Sequence, residues 1–204
     1  MFKRDILFHL EKWKDDTHRK PLILRGARQV GKTTVVNEFG KQFDNYLYLN
    51  LEKREAASLF ELNVSLKDLM PLFFAHCGKI RNEGTILLFI DEIQNSAKAV
   101  ALLRYFYEEL PDIYVIAAGS LLENLIDVRV SFPVGRVQYM ALRPCSFREF
   151  LGAVGEEPLL SVLDKPEITL PFHDRLMLLF NIYTLIGGMP EVVQLYAERR
   201  DILS

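Results

Sequence analysis

Gly26-Ala27-Arg28-Gln29-Val30-Gly31-Lys32-Thr33 fits the pattern G-x-x-x-x-G-K-[ST], and its flanks fit the structural context that this pattern needs. Pro21-Leu22-Ile23-Leu24-Arg25 before it reads as a short buried strand, and Thr34 to Lys41 after it reads as a helix. A strand, this loop and a helix in that order make a P-loop. Glycines let the backbone curl around β- and γ-phosphates with its N–H groups pointing inward. The helix that follows adds its positive N-terminal end. Lys32 supplies a full charge, and the Thr33 hydroxyl is placed to hold Mg²⁺. Gly26 to Thr33, with Thr34 beside them, are therefore expected to bind a nucleotide.

A second segment completes the chemistry. Thr85-Ile86-Leu87-Leu88-Phe89-Ile90 is a continuous apolar run, as expected of a strand buried on both faces of a parallel sheet. Asp91-Glu92 follows it directly, the Walker B arrangement, which presents both carboxylates at the C-terminal edge of the sheet, where ligands bind. Asp91 is expected to hold the Mg²⁺ shell, and Glu92 to act as general base on the attacking water. An acid next to the Mg²⁺ ligand favours a hydrolase over a small-molecule kinase. Gln94 reads either as a relay of the γ-phosphate state or as an ordinary polar residue. Ser120 ends the next strand. It reads as a sensor of the γ-phosphate or the water, and equally as the cap of a helix, because Ser120-Leu121-Leu122-Glu123 is itself a capping box. Arg136 lies in a loop before the last strand, and by spacing alone it reads as a surface arginine.

The bulk composition is globular: 204 residues, half of them hydrophobic and a quarter charged. A net charge of −2 gives no electrostatic footprint for nucleic acid. Cys77 and Cys145 are too few and too far apart for a disulfide framework, so a reducing cytosol is the expected compartment. Neither they nor the four histidines show zinc spacing. No apolar run approaches a membrane span, and Met1-Phe2-Lys3-Arg4-Asp5 alternates charged with apolar residues, unlike a signal peptide.

Along the chain, residues 2–16 carry Phe2, Ile6, Leu10 and Trp13 at helical spacing. Tyr46 to Leu51, Ile113 to Ala118 and Val137 to Leu142 read as further strands. Helices are expected from Ser65, a capping box, to about Ile80, from Ala97 to Leu110, and from Leu121 to Ile126. Alternation of strands and helices predicts a doubly wound five-stranded parallel sheet, an α/β fold. From Ser146-Phe147-Arg148-Glu149, another capping box, the pattern is helical. Gly187-Gly188 stops one helix and Pro190 opens the next. Two regions are thus expected: a P-loop core with its N-terminal helix over residues 1–145, and a small helical subdomain over 146–204. The last helix, Glu191 to Arg200, carries Val192, Val193, Leu195 and Tyr196, apolar surface that reads as awaiting a packing partner in a longer protein or an oligomer.

Taken in order, Arg25 to Thr34, Ile90-Asp91-Glu92-Ile93-Gln94, Gly119-Ser120, Gly135-Arg136, Leu142-Arg143-Pro144-Cys145-Ser146-Phe147 and Gly187-Gly188-Met189-Pro190-Glu191 resemble the prokaryotic AAA-type ATPases of the AAA_14 group, relatives of the archaeal ATPases. The resemblance covers roughly residues 18–195. It implies the additional-strand form of the P-loop fold, with the sensor strand between the P-loop and Walker B strands. It also raises Arg136 to a candidate arginine finger or γ-phosphate sensor, in cis or in trans. Ser120 stands where many AAA proteins carry Asn. The family continues into a further C-terminal domain.

Two functional readings follow. One is an ATP hydrolase that turns over with Mg²⁺ and couples this to a conformational output, as a monomer or a homo-oligomer with a protein or nucleic-acid client. The other is a slow nucleotide-dependent switch, a signalling ATPase whose nucleic-acid-binding effector region would lie outside these residues. A GTPase is disfavoured because the chain has no Asn-Lys-x-Asp motif. A helicase would need a second motor domain or a ring.

Overall fold

A computed structural model describes residues 2–119 and 135–201. The helix expected at Leu121 to Ile126, and Ser120 with it, lie outside the described residues. The chain forms two compact units. One comprises Leu10–Arg28 and Lys32–Leu142, the other Met1–His9, Gln29–Gly31 and Arg143–Ser204. The first nine residues, read from the sequence with the sheet, therefore group with the helical unit.

The sheet unit runs from the end of α1 (Ile6–Asp15) through β1 (Leu22–Arg25), α2 (Lys32–Gly40), β2 (Asn45–Asn50), α3 (Arg54–Leu59), α4 (Leu66–His76), β3 (Ile86–Asp91), α5 (Ala97–Glu109), β4 (Ile113–Gly119) and β5 (Gln138–Ala141). The strands pair in the order β2-β3-β4-β1-β5. Every pairing is parallel. β4 thus separates the P-loop strand β1 from β3. All six residues of β3 are buried, which is why its sequence is apolar without alternation. On one face Ile23, Leu49, Leu88 and Val115 pack against Phe60, Phe73 and Phe106 of the helical layer. On the other, Tyr114 meets Trp13 and Phe43 edge to face, at ring separations of 5.9 and 5.0 Å.

Local signals explain the helix ends. The Ser65 hydroxyl accepts from the Asp68 N–H and caps α4. That helix ends at His76 rather than near Ile80. Gly78 turns left-handed there, with φ 63°, and the Gly78 and Lys79 N–H groups fold back on the Ala75 and Phe74 carbonyls. α3 was not expected: its Arg54-Glu55-Ala56-Ala57-Ser58-Leu59 carries too few apolar residues to show a period.

The helical unit contains α6 (Phe147–Ala153), α7 (Glu157–Leu163), α8 (Leu170–Ile186) and α9 (Pro190–Arg199). Phe150, fully buried, stacks on Tyr196 and lies against Tyr183. Val193 and Tyr196 are thus spent in this unit's own core. Of the residues read as awaiting a partner on the last helix, Val192 is exposed. The larger exposed apolar surface is on α8, at Leu170, Met177, Leu178 and Leu185. Gly187 ends α8 with φ 74°, and its N–H donates to the Tyr183 carbonyl. Gly188 approaches the backbone so closely that a Cβ there would lie 2.4 Å from the Cys145 oxygen. The same two residues are joined by the Cys145 N–H on the Gly188 carbonyl, 2.6 Å. Gly188→Ala is therefore expected to cost about 1–3 kcal/mol, read by chemical denaturation as an earlier transition; an unchanged midpoint would show that the Pro144–Cys145 turn can move aside.

Candidate active site

The P-loop joins the end of β1 to the start of α2. Gln29 and Gly31 have positive φ, 62° and 90°, on either side of buried Val30. Left-handed residues so placed turn successive N–H groups toward one concavity, which suits an anion. For Gln29, which has a Cβ, this conformation costs energy that a functional loop tolerates. α2 begins at Lys32, so its free N–H groups open on the same loop. Lys32 is buried, and its Nζ donates to the Gly26 and Ala27 carbonyls, each at 2.9 Å. Burial lowers its pKa, Glu92 and Asp91 pull it back up, and Arg28 lowers it again.

Thr33, on the first turn of α2, donates its hydroxyl to Asp91 Oδ2 at 2.7 Å. The same oxygen accepts from the Tyr48 hydroxyl at 3.3 Å. Asp91 Oδ1 takes the Glu92 N–H at 3.0 Å. Asp91 is 3% exposed. Burial raises its pKa, and the hydrogen bonds from Thr33 and Glu92 oppose the shift. The Tyr48 hydroxyl is pushed up to about 12, first by burial and then by the Asp91 charge, so it stays a donor. A hydroxyl oxygen and a carboxylate oxygen in contact at the head of a P-loop helix are hard ligands of the kind Mg²⁺ takes. Mg²⁺ uses one or two protein ligands with phosphates and waters, not an all-protein cage. Among the described residues, no group of three or more His, Cys, Asp or Glu side chains could hold a metal ion.

Glu92 leaves β3 in the left-handed region, φ 52° and ψ 44°, and caps a short 3₁₀ turn, Ile93–Asn95. A non-glycine residue held there at the end of a Walker strand is strained, as functional positions often are. Gln94 Nε2 donates to Glu92 Oε2. Gln94 Oε1 is buried and has no hydrogen-bond partner among the described residues. A buried acceptor left open beside a carboxylate is costly unless a further donor joins it.

Of the residues singled out in the sequence, the sheet unit brings Lys32, Thr33, Asp91, Glu92 and Gln94 to one strand edge. Arg136 is elsewhere. β5 runs parallel to β1 with Gln138 opposite Leu22, so Arg136 enters the sheet at the edge opposite the P-loop. The two are separated by about six residues of strand rise, roughly 20 Å. Arg136 is exposed, and its Nε donates to Glu108 Oε1 at 2.9 Å. A cis contact with the chain's own γ-phosphate is thereby corrected: the strand register puts that arginine on the far edge. Tyr48, whose hydroxyl reaches Asp91, is a site residue that sequence reading missed. The signal was its place two residues before the end of the strand that pairs with β3.

The profile of AAA_14, described as an AAA domain, matches residues 18–151. The chain belongs to the AAA_14 family of AAA domains. A curated relative, an uncharacterized protein of Methanocaldococcus jannaschii (MJ1637), is 28% identical over 157 residues, which are 74% of this chain and 32% of that protein. The chain thus spans about a third of that relative's length. Among solved structures, the Walker-type ATPase paby2304 of Pyrococcus abyssi is similar over 99% of this chain and 69% of its own, with TM-score 0.56 and 18% identity. A chain of Drosophila ORC bound to DNA is similar over 94% and 58%, with TM-score 0.58 and 15% identity. These identities show the fold, and the five-stranded AAA domain with its β4 insertion is that fold. No helix among the described residues is long and apolar enough to cross a membrane.

Proposed function

We propose that this AAA domain binds Mg²⁺-ATP and hydrolyses it to ADP and phosphate. The observation that carries the reading is the contact between Thr33 on the P-loop helix and Asp91 at the end of β3, the juxtaposition that a phosphate-bound Mg²⁺ requires. Mg²⁺, held by Thr33 and Asp91, would neutralise charge on the phosphates. Lys32 exchanges its two carbonyl partners for phosphate oxygens and stabilises the negative charge that develops on them. Glu92 takes the proton of the attacking water as its oxygen bonds to the γ-phosphorus and the bond to ADP breaks. The open Gln94 Oε1 beside Glu92 supports a role in orienting that water or in relaying its state.

Lys32→Ala is expected to weaken ATP about ten- to hundredfold, the worth of a charge-assisted contact, while the fold persists. Calorimetry checks this, and parental affinity in the variant would sink the reading. A slower switch is the second reading. It is favoured by Arg136, which faces away from its own site and is paired to Glu108, so that a fast site would draw its arginine from a second copy. The free thiols of Cys77 and Cys145 suit a cytosolic setting.

A further inference from the structure

Arg4 spends its guanidinium on three acceptors of the helical unit, and nothing in the hydrolysis scheme uses it. It is 4% exposed. Its Nε donates to Glu149 Oε1 at 2.9 Å, its Nη2 to the Arg143 carbonyl at 2.8 Å, and its Nη1 to the Val30 carbonyl at 3.1 Å. Glu149 is equally engaged. Its Oε1 also accepts the Asp5 N–H and its Oε2 the Ser146 N–H, both at 2.8 Å. The Arg4, Val30, Gly31, Arg143 and Glu149 residues all belong to one compact unit.

The capping box that Ser146 and Glu149 form at the start of α6 is complete without a cation. A buried ion pair is costly to assemble and is weak evidence of stabilisation by itself. What the guanidinium adds is a charge on one particular peptide. The Val30 carbonyl and the Gly31 N–H are the two ends of the same amide, and that amide lies in the crown of the P-loop. A cation bonded to the oxygen polarises the amide and strengthens its N–H as a donor. It also prevents the peptide from flipping. Gly31, with φ 90° and no side chain, is free to permit such a flip, and a flip would present a carbonyl to an anion in place of an N–H.

We infer that Arg4 is a positioning residue of the phosphate-binding loop: locked by Glu149, it grips the Val30 carbonyl and so orients and polarises the Val30–Gly31 peptide toward a nucleotide's β-phosphate. The inference rests on the ATP site proposed above. The β-phosphate is common to ATP and ADP, so Arg4 acts on both alike, whereas Lys32 acts more on ATP.

The test is calorimetric titration of ATP and of ADP into the parent, Arg4→Lys, Glu149→Gln and Lys32→Ala, well below each melting temperature. A lysine keeps the charge against Glu149, but one ammonium cannot span three separated acceptors. Arg4→Lys is expected to weaken ATP and ADP by the same factor, on the order of tenfold. Glu149→Gln leaves Arg4 in place without its counter-charge, and is expected to give a smaller, equally matched loss. A merely structural role would lower the melting temperature and leave both affinities unchanged below it. Parental affinities in the two folded variants, with ATP binding lost in Lys32→Ala, would overturn the role of Arg4 and leave the ATP site standing. Parental affinity in Lys32→Ala would remove the site itself.

Discussion

Glu92→Gln is expected to bind Mg²⁺-ATP as the parent does and to hydrolyse it about 10²–10⁴-fold more slowly, the usual worth of a general base. The separation follows from what the swap preserves. Glutamine has the shape of glutamate, and its oxygen can still accept from Gln94 Nε2. The left-handed turn at position 92 is anchored by its main-chain N–H on Asp91 Oδ1, which the side chain does not alter. Lys32, Thr33 and Asp91 are untouched, so the binding groups remain. Only the proton acceptor is gone. Calorimetry and single-turnover hydrolysis on the same preparation give the two quantities. Hydrolysis at the parent rate would reduce Glu92 to an acid at the start of a helical turn.

The second large effect concerns Arg136. Because the β1–β5 register places it at the edge opposite the P-loop, it serves a γ-phosphate only in a neighbouring copy. If it does, Arg136→Ala lowers turnover about a thousandfold in the assembled state, the scale of an arginine finger. The parent's specific activity then rises with protein concentration, since assembly follows mass action. Mixing Arg136→Ala with Lys32→Ala should also restore part of the lost rate: the first supplies an intact nucleotide site, the second an intact arginine. Turnover that is independent of concentration and indifferent to Arg136→Ala would contradict the trans role. In that event the Glu108–Arg136 pair is a surface ion pair, worth little by itself.

Much of this molecule was legible in the chain because its sheet is buried on both faces. Ile86 to Ile90 admits only apolar residues, and the acids that follow stand out against that run. The P-loop was equally plain, since its glycine, lysine and threonine are fixed by the ligand rather than by packing. Arg4 was not legible. In Phe2-Lys3-Arg4-Asp5 it resembles its solvated neighbours, and its burial depends on Glu149 and Val30, which are distant in sequence. Tyr48 was hidden for a different reason. Tyrosine is a common strand residue, and its strand period says which face it takes, not what its hydroxyl reaches. The grouping of residues 1–9 with Arg143–Ser204 was hidden on the same ground as Arg4: helical spacing shows that an apolar stripe must be covered, and is silent about which unit covers it.

The strand order has a consequence for how the site comes into being. β2 pairs with β3, and β3 with β4, each with the next strand in sequence. β1, made before any of them, must wait. Its two partners, β4 and β5, are the last strands of the sheet in sequence. Long-range parallel pairing of this kind is slow, because loop closure is paid before the contacts return it. The P-loop and Asp91 are carried on strands that meet only through β4, so Thr33 reaches Asp91 no earlier than β1 enters the sheet. Competence to hold a nucleotide is then a property of the finished sheet and of no smaller part of it.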